Sequence, residues 1–226
     1  MYNAHLSFVE TADGSKTIYN EKVGENYHSK HGALQESKHV FLKSGLEFFI
    51  HRKNANSISI LEVGFGTGLN FLLSADYCNL HEIKLDYTGI EGYPISVELI
   101  KNTGYDAYVS GSIFNLFLSK YESALTHTVD LGEYTNLRIA NSLLEDFETE
   151  KRFDVIYFDA FAAIHQPEMW SEDAISHCCN FLKPGGVFVT YAITGNLKRT
   201  MKSLNFSIEK APGAPGKREM LRAVKN

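Results

Sequence analysis

The segment "SISILEVGFGTGLNFL", residues 57–72, constrains the fold more than any other part of the chain. A short run rich in branched apolar residues reads as a buried strand and ends at Gly64, and Leu69 to Leu73 resume as a helix. Between them Gly64, Gly66 and Gly68 alternate with Phe65 and Thr67, as a chain does when it turns sharply beneath a nucleotide. In open α/β sheets the ligand lies beyond the carboxyl ends of the strands, at the switch point beside the first strand, and Gly64 to Gly68 would lie under it.

The rest of the chain fits such a sheet. "IKLDYTGIE", "NLRIA", "FDVIYFDA" and "GGVFVTYA" read as strands, each followed by a polar or helical segment. Pro94 stands where a helix can begin, Ile113, Leu116, Phe117 and Tyr121 form a helical stripe, and Ser171 is a plausible N-cap with Glu172 and Asp173 in the first turn. "NFSIEKA" and "EMLRAVKN" flank "PGAPGKR" as a closing hairpin. Strands alternating with helices imply a mostly parallel sheet with helices on both faces. Ahead of it, two extended stretches around Asp13-Gly14 predict an N-terminal β-hairpin, "YHSKHGALQES" reads as loop, and Val40, Leu42, Leu46, Phe49 and Ile50 fall at helical spacing. We divide the chain into an extension, 1–50, packed on a catalytic domain, 51–226.

The ligand is narrowed by what surrounds the glycines. A dinucleotide fingerprint needs G-x-G-x-x-G, and its last position here is Leu69. The spacing G-x-G-x-G, with Glu62 before it and Asn70 after it, suits S-adenosylmethionine (SAM), whose amino group or a water Glu62 could hold. Glu91, at the tip of the second strand, can accept hydrogen bonds from both ribose hydroxyls, a device shared by NAD and SAM sites. Asn141 and Ser142 follow the next strand, where an adenine would rest. The cofactor-binding set is thus Glu62, Gly64, Phe65, Gly66, Gly68, Asn70, Glu91, Asn141 and Ser142. Asp159, at the tip of the fourth strand, faces the reacting centre.

Composition excludes several classes. The 226 residues are 44% hydrophobic and carry no apolar run of the roughly 18 residues that a membrane span needs, so a soluble cytoplasmic protein is expected. Cys78, Cys178 and Cys179 suit neither a disulfide framework nor a CxxC metal site and are expected as buried thiols. His28, His31 and His39 form the densest histidine group, but no cysteine or acid completes a ligand set, and no metal is expected. The net charge of -5 argues against non-specific coating of nucleic acid. From Lys198 onward, however, eight basic residues face two acids, Glu209 and Glu219, so that the C-terminal region is either a solvated surface or a landing strip for a phosphate backbone.

"VFLKSGLEF", "ILEVGFGTGLNFL", "IEGYP", "FDAFAAIHQPEMW" and "PGAPGKREML" together resemble the methyltransferase half of the bacterial tRNA-modification enzyme MnmC, and more closely its stand-alone MnmD type. The resemblance covers nearly the whole chain and is weakest from about Tyr105 to Tyr134. It implies a Rossmann-like class I SAM-dependent methyltransferase with a seven-stranded, mostly parallel sheet. It also implies N-methylation of 5-aminomethyl-2-thiouridine at the tRNA wobble position, giving 5-methylaminomethyl-2-thiouridine. The FAD oxidase domain of the bifunctional relatives is expected to be lacking, so that the amine must come from another route. On this reading Asp159 is catalytic, tRNA is the partner and a monomer is expected. Tyr27, Phe161, Trp170 and Tyr191 would wall the substrate pocket, and Lys217 and Arg218 would meet tRNA phosphates. The chain departs from the family pattern at Ala163 and His165, where relatives carry proline and lysine, and at Asn141, where an acid is usual. The alternatives are a SAM enzyme for a small amine or another RNA base, and a nucleotide-binding protein or NAD(P) oxidoreductase, which the glycine spacing disfavours.

Overall fold

The computed structural model describes residues 5–226; the first four residues of the N-terminal extension lie outside it. Its central sheet is built on β4 (Ser57–Val63), β5 (Lys84–Glu91), β7 (Thr135–Asn141), β8 (Phe153–Phe158) and β9 (Leu182–Thr190), all parallel. β10 (Phe206–Pro212) and β11 (Glu219–Lys225) form the expected antiparallel hairpin, with β11 paired to β9. The sheet has eight strands, one more than expected. The extra one is β6, the two residues Val129–Asp130, which pairs antiparallel with β7 at the edge and is too short to leave a periodic signal.

The spatial order β10-β11-β9-β8-β4-β5-β7-β6 places β4 between β5 and β8. The chain runs outward from β4 to one side through β5 and β7, then returns to build the other side from β8. A crevice therefore opens beyond the carboxyl ends of β4 and β8, bringing Gly64 next to Asp159. β4 and β8 are buried along nearly their whole length, as central parallel strands covered on both faces must be. The one acid within β8, Asp154, is tied at the opposite end of the sheet. It accepts from Ser59 N–H (2.9 Å) and Ser59 Oγ (2.7 Å) and pairs with Lys183 Nζ at 2.9 Å.

Helices cover both faces. α3 (Leu69–Leu80) and α5 (Gly111–Ala124) lie on one, where Phe65, Phe71, Tyr87 and Phe117 interlock. α6 (Glu172–Asn180) and α7 (Gly195–Ser203) lie on the other, burying Ile175, Cys178 and Met201 with Phe158 and Phe188. Ser171 caps α6 by accepting from Ala174 N–H. All three cysteines are buried free thiols. Pro94 does not open a helix: α4 (Val97–Lys101) starts after Ser96, whose side chain accepts from Leu99 N–H.

The N-terminal region forms a three-stranded sheet, β1 (Leu6–Glu10), β2 (Lys16–Asn20) and β3 (Glu25–Asn26), so the expected hairpin gains a third strand. A continuous helical run follows: α1 (Ala33–Glu36), wide π-type turns over Ser37–Glu47, and α2 (Phe48–Lys53). This run begins inside the segment read as loop. Its caps come from the hairpin turn, where Ser15 Oγ accepts from Ala33 and Leu34 N–H and Asp13 Oδ2 from Gln35 N–H, so no adjacent residue signals the start. The run lies on the sheet: Phe41 packs against Tyr157 at 5.3 Å, and a Cβ at Gly45 would stand 2.7 Å from that tyrosine's ring. Residue 50, the division expected from the sequence, falls within α2.

Candidate active site

A cavity of about 720 Å³ opens at the carboxyl ends of β4, β5, β7 and β8, closed on one side by the N-terminal hairpin. Its floor is the glycine turn. Gly64 has φ 84°, and a Cβ there would collide with the carbonyl oxygen of Asp159. Gly66 has φ 51° and lies under the Tyr27 ring. These positions are closed to any larger residue, which lets the backbone itself approach a ligand.

Glu91 stands where the ribose acid was expected. Its Oε2 accepts from Gly66 N–H at 2.8 Å and its Oε1 from Tyr93 N–H at 2.9 Å. Each oxygen retains lone-pair capacity that a vicinal diol can satisfy. Burial raises the Glu91 pKa, and the two backbone donors oppose that rise. Asn141 pairs in register with Glu91 across β5 and β7, and with Ser142 it lines the same end of the cavity. The Ser142 hydroxyl is turned back to the Leu143 carbonyl.

Two expected cofactor contacts are relocated. The Phe65 side chain points into the aromatic core, 2% exposed, leaving its backbone at the cavity. Glu62 lies beneath the turn, 1% exposed, and does not line the cavity. It accepts from Asn70 Nδ2 at 2.8 Å and from Tyr87 OH at 2.7 Å, so it supports Asn70 rather than facing an amino group. Burial foremost, with Asp159 next, raises its pKa well above the usual carboxylate value.

Asp159 lines the cavity at the tip of β8. Its N–H donates to the Val63 carbonyl at 2.9 Å, which locks the β8 tip to the β4 tip. Asn70 Nδ2 donates to its Oδ2 at 2.8 Å. Burial, reinforced by the negative charge of Glu36, pushes Asp159 up to about 8; Asn70 and Lys217 pull it back and Glu25 adds to the rise. Such a carboxyl exchanges a proton near neutral pH.

The four aromatics divide by role. Tyr27 and Phe161 face the cavity, edge to face with centroids 5.3 Å apart. Trp170 and Tyr191 do not line it. Trp170 packs on Phe158 and donates its Nε1–H to the Phe161 carbonyl at 2.7 Å, and Tyr191 OH donates to the Ala160 carbonyl at 2.9 Å. Both fasten the turn that carries Asp159 and Phe161. Lys217 also departs from expectation, since its Nζ lies 2.7 Å from Glu36 Oε1, whereas Arg218 is exposed.

Sequence reasoning missed Glu25 and Glu36. Glu25 Oε2 accepts from Ala162 N–H at 2.8 Å and so anchors the same turn from β3. Both acids sit in a stretch whose pattern signals only strand end and loop, and no local cue points them at the site. The histidine group is dispersed: His28 pairs with Thr17, His31 lies against Gly216, and His39 Nε2 bonds the Pro212 carbonyl at 2.7 Å. Burial lowers the His28 pKa to about 4. Among the described residues, no helix is long and apolar enough to cross a membrane.

The donor set fits an adenosine-bearing cofactor: a tight glycine turn, a diol-accepting acid and a buried Asn70 Oδ1 that lacks a partner beside them. Comparison with known proteins agrees. Residues 112–226 match the family model described as S-adenosyl-L-methionine-dependent methyltransferase. The bifunctional tRNA 5-methylaminomethyl-2-thiouridine biosynthesis protein MnmC of Leptospira interrogans is 31% identical over 216 residues, covering 91% of this chain and 33% of that protein. That of Leptospira borgpetersenii is 29% identical over 226 residues with the same coverage. The chain thus spans about a third of the length of these curated relatives. Among solved structures, MNMC2 from Aquifex aeolicus superposes with a TM-score of 0.74 over 96% of this chain and 70% of that one, at 23% identity. The sugar N-methyltransferase KedS8 from Streptoalloteichus shares the fold at a TM-score of 0.51 and 12% identity, over 85% of this chain and 87% of that one.

Proposed function

The chain belongs to the S-adenosyl-L-methionine-dependent methyltransferase family, and we propose that within it the protein methylates the aminomethyl nitrogen of 5-aminomethyl-2-thiouridine at the tRNA wobble position. The product is 5-methylaminomethyl-2-thiouridine, and the cofactor is S-adenosylmethionine. The observation that carries the reading is Asp159, a carboxyl pushed to about 8, beside the glycine turn in the cavity that Tyr27 and Phe161 also line.

The bound cofactor supplies a methyl group already activated by its sulfonium. The chain's own residues have to hold, align and exclude water. The backbone of Gly64 to Gly68 and the carboxylate of Glu91 hold the nucleoside part, with Asn141 and Ser142 at the adenine. Asn70, supported by Glu62, keeps the Asp159 carboxylate in one orientation. Ionised Asp159 accepts an N–H of the substrate amine, aims its lone pair at the methyl group and takes up the proton that the nitrogen sheds, directly or through water. Tyr27 and Phe161 offer faces on which an extruded base stacks. In this proposal the chain divides into an N-terminal extension, 1–50, packed on a methyltransferase domain, 51–226, with Tyr27 of the extension and Phe161 of the domain walling the acceptor pocket. The enzyme works as a cytoplasmic monomer on tRNA, without a metal.

Supplying SAM and tRNA that carries the exposed aminomethyl group, then digesting and weighing the nucleosides, tests the reading. A gain of one methyl on the wobble nucleoside is expected, and it is lost in Asp159→Ala while SAM still binds. A free small amine is the second reading, which the net charge of -5 favours; methyl transfer to such amines with none to tRNA would select it.

A further inference from the structure

Lys217 occupies the turn joining β10 to β11, where a basic pair suggests contact with a phosphate backbone. Its side chain turns inward instead. Nζ lies 2.7 Å from Glu36 Oε1 and 3.8 Å from the centroid of the Tyr191 ring. Glu36 is buried, 6% exposed, and its other oxygen accepts from Ser29 N–H at 2.9 Å. The Tyr191 hydroxyl donates to the carbonyl of Ala160, the residue after Asp159. The turn is itself fastened to the N-terminal region, through His39 Nε2 on the Pro212 carbonyl and the His31 ring against Gly216.

A buried carboxylate stripped of its counterion is costly, so Lys217 cannot leave Glu36 for a phosphate without a penalty. The ammonium over the Tyr191 face adds a second attraction that holds ring and cation together. We propose that Lys217 is a positioning residue of the methyl-acceptor site: clamped between Glu36 and Tyr191, it ties the C-terminal turn to the N-terminal helix and holds the Asp159–Ala160 turn in its receiving conformation. This rests on Asp159 being the group that receives the amine.

Among the described residues, the charged and titratable groups facing Asp159 are Glu25 from β3, Glu36 from α1, Glu62 from β4, Tyr87 from β5, Tyr191 after β9 and Lys217. Lys217 is the cation of that set, so its removal acts on Asp159 with a definite sign. Glu36, with the opposite sign, acts in the opposite direction.

The test is a 13C NMR titration of aspartate-labelled protein, with the Asp159 signal assigned by its loss in Asp159→Asn. Relative to wild type, Lys217→Met should raise the Asp159 midpoint by about one pH unit. Glu36→Gln should lower it, the double variant should return toward wild type, and Lys217→Arg should stay near it. Melting curves show whether each variant is folded, and Lys217→Arg keeps the test open if the methionine variant is not. In turnover, Lys217→Met should lower kcat more than it raises KM for tRNA, with the salt dependence of tRNA binding unchanged. An unmoved Asp159 midpoint together with a flatter salt dependence would overturn the proposal and assign Lys217 to phosphate. If wild type methylates no tRNA, the acceptor reading fails, and the titration still decides whether the clamp acts on Asp159.

Discussion

Asn70 reaches Asp159 from below, its Nδ2 donating to Oδ2 at 2.8 Å while the same nitrogen donates to the buried Glu62. One amide therefore orients the Asp159 carboxyl and satisfies a second one that cannot reach water. Asn70→Ala removes both bonds and strands Glu62 with Tyr87 alone. We expect a stability loss of about 1–3 kcal/mol, measured by denaturant melting, and a kcat lowered about 10-fold or more. SAM affinity, measured by calorimetry, should change less than kcat.

Asp159 links activity and stability to pH with opposite signs. Its folded pKa of about 8 lies above its ordinary value of 3.8, so the folded protein binds more protons than the unfolded chain between those values. Its contribution to stability is full below pH 4 and is lost as pH rises through about 8. Asp159→Asn should therefore stabilise the fold more at pH 8.5 than at pH 5, by on the order of a few kcal/mol in unfolding free energy, read from melting curves at the two values. A variant that melts like wild type at both values would remove the argument.

Turnover should run the other way. In the proposed mechanism the ionised form of Asp159 accepts the amine N–H, so kcat/KM, which reports the free enzyme, should climb with pH and bend near 8. The substrate amine titrates as well, and a synthetic acceptor with a less basic amine separates the two bends.

Glu91 offers one lone pair per oxygen beyond its bonds to Gly66 and Tyr93. Glu91→Ala loses the acceptors proposed for the ribose and leaves two backbone donors unpaired. Weaker SAM binding by roughly 10- to 100-fold is expected, about 1.4 to 2.7 kcal/mol, measured by calorimetry. Binding at wild-type strength would place the ribose elsewhere.

Trp170→Phe keeps the packing against Phe158 and deletes the indole donor to the Phe161 carbonyl. The turn should loosen at a cost of about 1 kcal/mol, with a several-fold lower kcat and little change in SAM affinity. Equal losses in kcat and in SAM binding would mean that the indole acts more widely than on this turn.

Arg218, exposed beside the inward Lys217, remains available to a phosphate. Arg218→Glu should weaken tRNA binding across all sequences and reduce the magnitude of the salt slope by about one. An unchanged slope would return the C-terminal surface to plain solvation.

Strand tips were the legible part of this chain. Glu91 and Asp159 could be placed because a parallel sheet presents each strand's last residue to the same crevice, and apolar runs mark where strands stop. What side chains do after that point was far less legible. Trp170 and Tyr191 had the right type and neighbourhood for pocket walls, yet residue type says nothing of which way a ring turns, and both turn to hold carbonyls. Lys217 and Glu36 are 181 positions apart, and no periodicity records such a contact. The start of α1 was hidden for the same reason, because its caps belong to another part of the chain.

That borrowed cap bears on how far the protein can be taken apart. With Asp13 and Ser15 bonded to the first amides of α1, and with Phe41 and Gly45 seated on Tyr157, residues 5–50 are not a detachable module. A fragment starting at residue 51 would keep the glycine turn and Glu91, and would lose Glu25, Tyr27 and Glu36 from around Asp159. Fusions and truncations of this enzyme should therefore be designed outside the hairpin, since a cut at the apparent domain edge would leave a cofactor cradle without an acceptor pocket.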